Sequence, residues 1–205
     1  MRLNRLALTS FATLALLMAS PLAHADAAAD LKNTASGAYK IDPNHASITF
    51  KILHLGFSRY TGRFDKMDGV VNFNSASPEQ SSVDITIYPN SIDTNNAKLE
   101  EDLRNDKWFD VIKYPTATFR STKVERTGPT TGKITGDFTL MGVTHTVVLD
   151  TTLIGAGENT FMKKPVIGFS ATGTIRRSDY GLSNFIPMVS DDVTLEIEAE
   201  FDKAE

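Results

Sequence analysis

The chain contains no cysteine among its 205 residues. That absence excludes disulfide staples, a thiolate nucleophile and any sulfur-ligated metal. Histidine is also scarce, with four in all. His24 lies in the N-terminal run described below. His45 and His54 are an odd number of residues apart and would point to opposite faces of a regular strand. His145 falls in a predicted turn, so no metal site is expected. There is no G-x-S-x-G elbow, no H-E-x-x-H, no Walker loop and no Gly-rich dinucleotide fingerprint. Nor is there an excess of positive charge: the formal net charge is −4, a poor match for phosphate backbones, so nucleic acid is not an expected partner.

Only one long apolar run is present, Leu6 to Met18. It follows Arg2 and Arg5 and precedes Ala23-His24-Ala25, a small-x-small cleavage pattern. The run is too short to span a bilayer, which disfavours an uncleaved anchor. Residues 1–25 are therefore expected to be a cleaved signal peptide that sends the chain across a membrane. Cleavage leaves about 180 residues, enough for one domain held by core burial alone. Residues 26–37 read as a flexible leader, and 38–205 as a single soluble domain.

What the domain has in abundance is alternation. Ala46, Ile48, Phe50 and Ile52 alternate with polar residues, as do Val83, Ile85 and Ile87. Val147, Leu149, Thr151 and Leu153 form another row, and Ile167, Phe169, Ala171, Gly173 and Ile175 a fourth. In the last, Val193, Leu195, Ile197, Ala199 and Phe201 oppose Glu196, Glu198 and Glu200. A strict period of two means one dry face and one wet face, which is antiparallel sheet. Turn signals separate the rows at Asp42-Pro43-Asn44, Asp68-Gly69, Gly128-Pro129, Met141-Gly142 and Gly155 to Asn159. About eight short strands so spaced predict an all-β sandwich or barrel. One short helix is expected near residues 96–110, capped by Asn95 or Asn96.

Leaving that helix, the stretch LRNDKWFDVIKYPTATF (Leu103 to Phe119) carries the only tryptophan, Trp108, beside Phe109. Such aromatic density suits a stacking platform, a ligand lid or ordinary core. The glutamate row of the last strand reads as a solvated outer face, and no paired carboxylates call for acid–base chemistry. Arg177 and Asp179 would share a side if their strand continued. They are either a surface ion pair worth about 0–1 kcal/mol or a polar pair at a cavity mouth. Arg63, in Gly62-Arg63-Phe64, carries the same ambiguity.

Several of these segments together resemble one family. Ile41 to Ala46, His54-Leu55-Gly56-Phe57, Gly62-Arg63-Phe64, Ser91 to Thr94, Trp108-Phe109-Asp110, Tyr114 to Phe119, Thr139 to Leu149 and Arg177 to Leu182 are similar to motifs of the YceI-like proteins. The resemblance covers nearly all of Tyr39 to Phe201 in order. Asp102 stands where the family commonly has histidine, and Trp108 where it commonly has phenylalanine.

The resemblance implies an extended, lipocalin-like antiparallel β-barrel with a long apolar tunnel. It also implies a periplasmic or secreted protein that binds a polyisoprenoid lipid or a ubiquinone-type isoprenoid quinone, with no catalytic cofactor. The inward row would supply the tunnel wall: Phe50, Ile52, Val83, Ile85, Phe119, Phe138, Phe169 and Ile175. Leu103, Trp108 and Phe109 would plug one end, and the matched motifs add Phe57 and Phe64. Arg63, Arg177 and Asp179 become the polar head-group candidates. Burial alone suffices for tight binding: at about 0.8 kcal/mol per CH₂, four isoprene units approach ~16 kcal/mol before ordering costs. Transient contact with a membrane or membrane protein would load such a protein, which is expected as a monomer or homodimer. Two other readings remain: a barrel enzyme acting on a small lipophilic substrate, which needs a polar group with a displaced pKa deep in the tunnel, and a structural barrel filled by its own side chains.

Overall fold

Alternation becomes ladder pairing along most of the chain. The computed structural model describes Leu31 and residues 33–205. Its strands are β1 (Gly37–His54), β2 (Ser58–Phe64), β3 (Met67–Phe73), β4 (Ser82–Ile87) and β5 (Ile92–Asp93), followed by the helix α1 (Ala97–Arg104). Then come β6 (Ala117–Arg126), β7 (Thr131–Leu140), β8 (Val143–Asn159), β9 (Lys164–Arg176) and β10 (Val189–Lys203). Eight of these, in the order β1-β3-β4-β6-β7-β8-β9-β10, close into an antiparallel barrel through pairing of β10 back to β1. Closure leaves those strands without free edges. The signal peptide expected at residues 1–25 lies outside the described residues.

Burial follows the period of two. In β8, Val147, Leu149, Thr151 and Leu153 are buried, while Val148 and Asp150 face solvent. In β10 the glutamate row lies outside, where Glu196 pairs with Lys51 at 2.7 Å and Glu198 accepts from Ser170 at 2.8 Å.

Three expected turns prove to be strand features. Asp42-Pro43-Asn44 lies in a bulge inside β1, between the pairs Ile41–Phe201 and Ala46–Ala199. Asp42 accepts from the Asn44 backbone N–H and pairs with His45 at 2.7 Å. That hydrogen bond holds the Asp42 carboxyl below the usual carboxylate range and raises the His45 pKa. The bulge bends one strand so that it serves two neighbours: Gly37 to Lys40 pair with β3, and Ile48 to His54 with β2. Gly69 sits within β3 opposite Ile85, where a Cβ would stand 2.4 Å from Ile85 Cδ1, so the glycine answers a close approach and not a turn. Gly155 to Asn159 continue β8 past a bulge, and the reversal falls at residues 160–163, where Asn159 Oδ1 accepts from the Phe161 and Met162 N–H groups. His145, expected in a turn, is in β8.

The helix is shorter than expected. Asn96 caps it by accepting from the Leu99 N–H, and Glu100 reaches back to the Thr94 and Asn96 N–H groups. It ends at Arg104 because Asn105 adopts an extended backbone and its side chain accepts from the Lys107 N–H, a local competitor of the helix. Trp108 and Phe109 therefore lie in turns beyond α1. The sheet stops at the two-residue β5, and α1 with the turns after it carries the chain across to β6. Arg104 fastens this crossing by donating to Asn90 and Ile92 carbonyls at 2.9 and 2.8 Å.

The described end of the expected leader is held in place. Leu31 packs against the core, Thr34 is buried, and the Tyr39 hydroxyl donates to the Ala35 carbonyl at 2.6 Å.

Candidate ligand-binding site

Inward residues of the barrel wall enclose two apolar cavities, an upper one of about 510 Å³ and a lower one of about 190 Å³. The upper lies beneath α1 and the turns that follow it. Its wall includes Phe50, Ile52, Phe64, Phe138 and Ile175 from the strands, and Leu103, Trp108 and Phe109 from the crossing. Val83, Ile85 and Phe169 line the lower cavity, and Phe119 lines both. Five side chains are common to the two: Ile48, Ile87, Phe119, Leu149 and Ile197. They come from β1, β4, β6, β8 and β10 and ring the junction of the two chambers, the waist of the barrel interior.

Aromatic contacts organise the upper wall. Phe64 lies 5.7 Å from Phe50 and 5.8 Å from Phe109, centroid to centroid, which joins the crossing to the barrel. Trp108 stacks on Phe185, a residue absent from the expected set. Phe185 belongs to the irregular segment between β9 and β10, where no periodicity marks an inward position. His54 and Tyr60 also line the upper chamber unannounced. The Tyr60 hydroxyl donates to the Thr94 carbonyl at 2.9 Å, so it ties β2 to the start of the helix.

Three expected residues stand differently. Phe57 is 90 % exposed and lines neither chamber, because it follows Leu55 and Gly56, both at positive φ, at the apex of the β1–β2 turn. Arg63 points outward and pairs with Asp65, since Gly62 and Phe64 take the inward positions of β2. Asp179 is exposed and does not meet Arg177, because the chain leaves strand geometry for a 3-10 turn at Arg177–Tyr180. The carboxylate that organises this turn is Asp191, which accepts from the Ser178 N–H and hydroxyl and pairs with Arg176.

Arg177 does line the upper chamber, yet its guanidinium is occupied. It is 5 % exposed and donates to the carbonyls of Leu182, Asn184, Val189 and Ser190. Desolvation pulls its pKa below the ordinary arginine value. Nearby, burial pushes the Tyr180 hydroxyl up to about 12; its ring stands edge-on to Phe138 and His145. Among the described residues no group of three histidines or carboxylates is placed to hold a metal ion. What the arrangement offers is a long apolar surface with few polar groups.

A family model for the YceI-like domain matches residues 39–201. The chain belongs to the YceI-like family. The protein YceI of Salmonella arizonae is 39% identical to it over 164 residues, covering 79% of this chain and 85% of that protein. The crystal structure of the Campylobacter jejuni YCEI protein superposes with a TM-score of 0.68 at 36% identity, covering 74% of this chain and 90% of that one. A structure described as a polyisoprenoid binding domain from Saccharophagus degradans shares the fold at TM-score 0.60 and 15% identity, over 81% and 98% of the two chains. In this YceI-like chain Asp102, which departs from the usual motif, pairs with Lys98 on the helix surface and lines neither chamber.

Proposed function

We propose that the protein is a periplasmic carrier that holds a long-chain isoprenoid lipid or isoprenoid quinone inside its barrel, for transport, storage or sequestration. The observation that carries this reading is the pair of apolar chambers meeting at a shared waist. Together they suit an elongated hydrocarbon better than a compact substrate. The polyisoprenoid-binding description of the Saccharophagus degradans neighbour supports the same ligand class. Export is supported by the Arg2 to Ala25 pattern, with Asp26 expected as the first residue of the mature chain. Transient contact with a membrane belongs to this reading, and it is supported by Leu53, Leu55, Phe57, Phe185 and Met188, which are exposed near the upper chamber.

The protein acts, in this reading, by binding rather than by catalysis. An enzyme would want a titratable group with a displaced pKa facing the lumen. Arg177 faces the upper chamber with a lowered pKa, but its guanidinium is committed to four backbone carbonyls. Tyr180, pushed up to about 12, lines neither chamber and is packed by aromatic rings. The test is extraction of the protein purified from its native host into organic solvent, followed by mass spectrometry. An isoprenoid lipid or quinone is expected at a stoichiometric level. Repeated extractions without one, together with no affinity for added prenyl compounds, overturn the proposal.

A further inference from the structure

Two of the waist side chains rest on glycine. A Cβ placed on Gly136 of β7 would stand 2.4 Å from Phe119 Cζ and 2.7 Å from Cε2. One placed on Gly173 of β9 would stand 2.7 Å from Leu149 Cδ2. Carbon atoms do not approach that closely, so each side chain lies flat on the neighbouring strand because the neighbour has no side chain. The pattern recurs away from the waist, with Phe50 over Gly62 at 2.3 Å and Ile85 over Gly69 at 2.4 Å. A large residue on the inner face of a narrow barrel must either project across the lumen or lie along the wall. Glycine beneath it permits the second.

We propose that Gly136 and Gly173 set the bore of the waist, and through it the longest apolar chain the protein accepts. This rests on the proposed prenyl-binding function and adds a length-determining device to it. The residues that determine length are not themselves in contact with ligand: neither glycine lines a chamber, and each acts by positioning Phe119 or Leu149. A methyl group at either position lifts its partner off the wall and into the opening. Of the upper chamber only the floor moves, where Phe119 and Leu149 lie, so a short prenyl chain held by the remaining wall still fits, whereas a long one can no longer thread into the lower chamber.

The two sites differ in how cleanly they test the idea. At Gly136 the added methyl also meets the Arg120 carbonyl oxygen at 2.6 Å, so some strand movement accompanies the change. At Gly173 the only atom within 3.0 Å is the flexible Leu149 Cδ2. Gly168, on the same strand as Gly173, has nothing nearer than 3.9 Å to a built Cβ and serves as the control.

The experiment measures binding of ubiquinones with two and with eight isoprene units to the wild type, Gly173→Ala, Gly136→Ala, Gly136→Ala/Phe119→Ala and Gly168→Ala. Melting temperatures are recorded, and Gly136→Ala and Gly173→Ala are crystallised. Long-chain affinity is expected to fall about tenfold or more in Gly173→Ala and Gly136→Ala, a loss of the size a steric block in an apolar pocket produces. Short-chain affinity should stay near wild type, Gly168→Ala should match wild type for both, and removing the Phe119 ring should restore long-chain binding to Gly136→Ala. An unchanged length profile, or equal loss of both ligands in variants that melt normally, overturns the proposal. So do crystal structures in which Phe119 and Leu149 have not moved, whether or not ligand binds. If the wild type binds neither quinone, it is the prenyl-binding reading that fails, and the structures of the alanine variants still decide the fate of the gate.

Discussion

The rings of Trp108 and Phe185 stack with centroids 6.2 Å apart and planes 25° from parallel, joining the turn after α1 to the segment between β9 and β10. Both line the upper chamber, and Phe185 is also 60 % exposed, so the pair sits where the chamber meets solvent.

Because Trp108 is the only tryptophan, its fluorescence reports this place alone. Titration with a prenyl alcohol is expected to shift the emission to shorter wavelength as water leaves the indole, and a ubiquinone should quench it. A spectrum unchanged at saturation would leave Trp108 as wall that the ligand never reaches.

The strands were legible because their signal is local. The row Val193 to Phe201 needs no knowledge of its partners to declare a dry face, and it forms most of β10. The same alternation marks Phe50 and Ile175 as sharing a dry face, and both line the upper chamber; that the dry face encloses a tunnel came from the family resemblance. What alternation does not encode is the set of long-range decisions. Asp42-Pro43-Asn44 has the composition of a turn, yet pairing with β10 on one side and with two strands in succession on the other makes it a bulge. Phe57 has the chemistry of a wall residue, but the turn geometry at Leu55 and Gly56 places it outside. Nothing local marks Phe185 as a wall residue, because irregular segments have no period to read.

Arg177 holds the segment that carries Phe185. Its guanidinium donates to four carbonyls between Leu182 and Ser190, all from one irregular stretch. Replacement by Met orphans those acceptors, and since each buried acceptor left unsatisfied costs about 1–3 kcal/mol the variant should lose several kcal/mol of stability. Arg177→Lys keeps the charge but has three donors on a compact ammonium and should recover only part of the loss. Urea denaturation gives the stability, and near-ultraviolet circular dichroism reports the Trp108–Phe185 stack. A Met variant as stable as the wild type would show that water satisfies these carbonyls.

Tyr180 makes stability depend on alkaline pH. Its hydroxyl is pushed up to about 12, above the ordinary value of about 10, because burial disfavours the phenolate. In the unfolded chain the phenol ionises near its ordinary pKa, while the folded chain keeps it neutral. The raised folded value means that the contribution is fully present below pH ~10 and is lost as pH climbs toward ~12, by roughly 2–3 kcal/mol. Tyr180→Phe should flatten this part of the curve in denaturation measured from pH 8 to 12. If the variant and the wild type lose stability in parallel, the alkaline loss originates elsewhere.

The exposed apolar rim bears on how a ligand would reach the chamber. Leu53, Leu55 and Phe57 lie at the end of β1 and in the turn after it, and the Leu55 N–H donates to the Met188 carbonyl at 2.7 Å, which sets this turn against the segment bearing Phe185 and Met188. Exposed apolar side chains scattered singly need no explanation, but a group gathered beside a cavity does. A rim that dips into a bilayer would let a prenyl chain pass from lipid to barrel without crossing water, where each exposed CH₂ costs about 0.8 kcal/mol. Phe57 separates this role from binding itself, because it is 90 % exposed and lines neither chamber. Phe57→Ser should slow uptake of a prenyl quinone from vesicles by roughly ten- to a hundredfold, as burial of one phenylalanine is worth roughly 1.5–3 kcal/mol. Its affinity for the same quinone dispersed in detergent should be unchanged. Stopped-flow transfer measured beside equilibrium titration distinguishes the two effects. Equal uptake rates would mean that the ligand arrives by another face, and a matching fall in detergent affinity would move Phe57 from the route into the site.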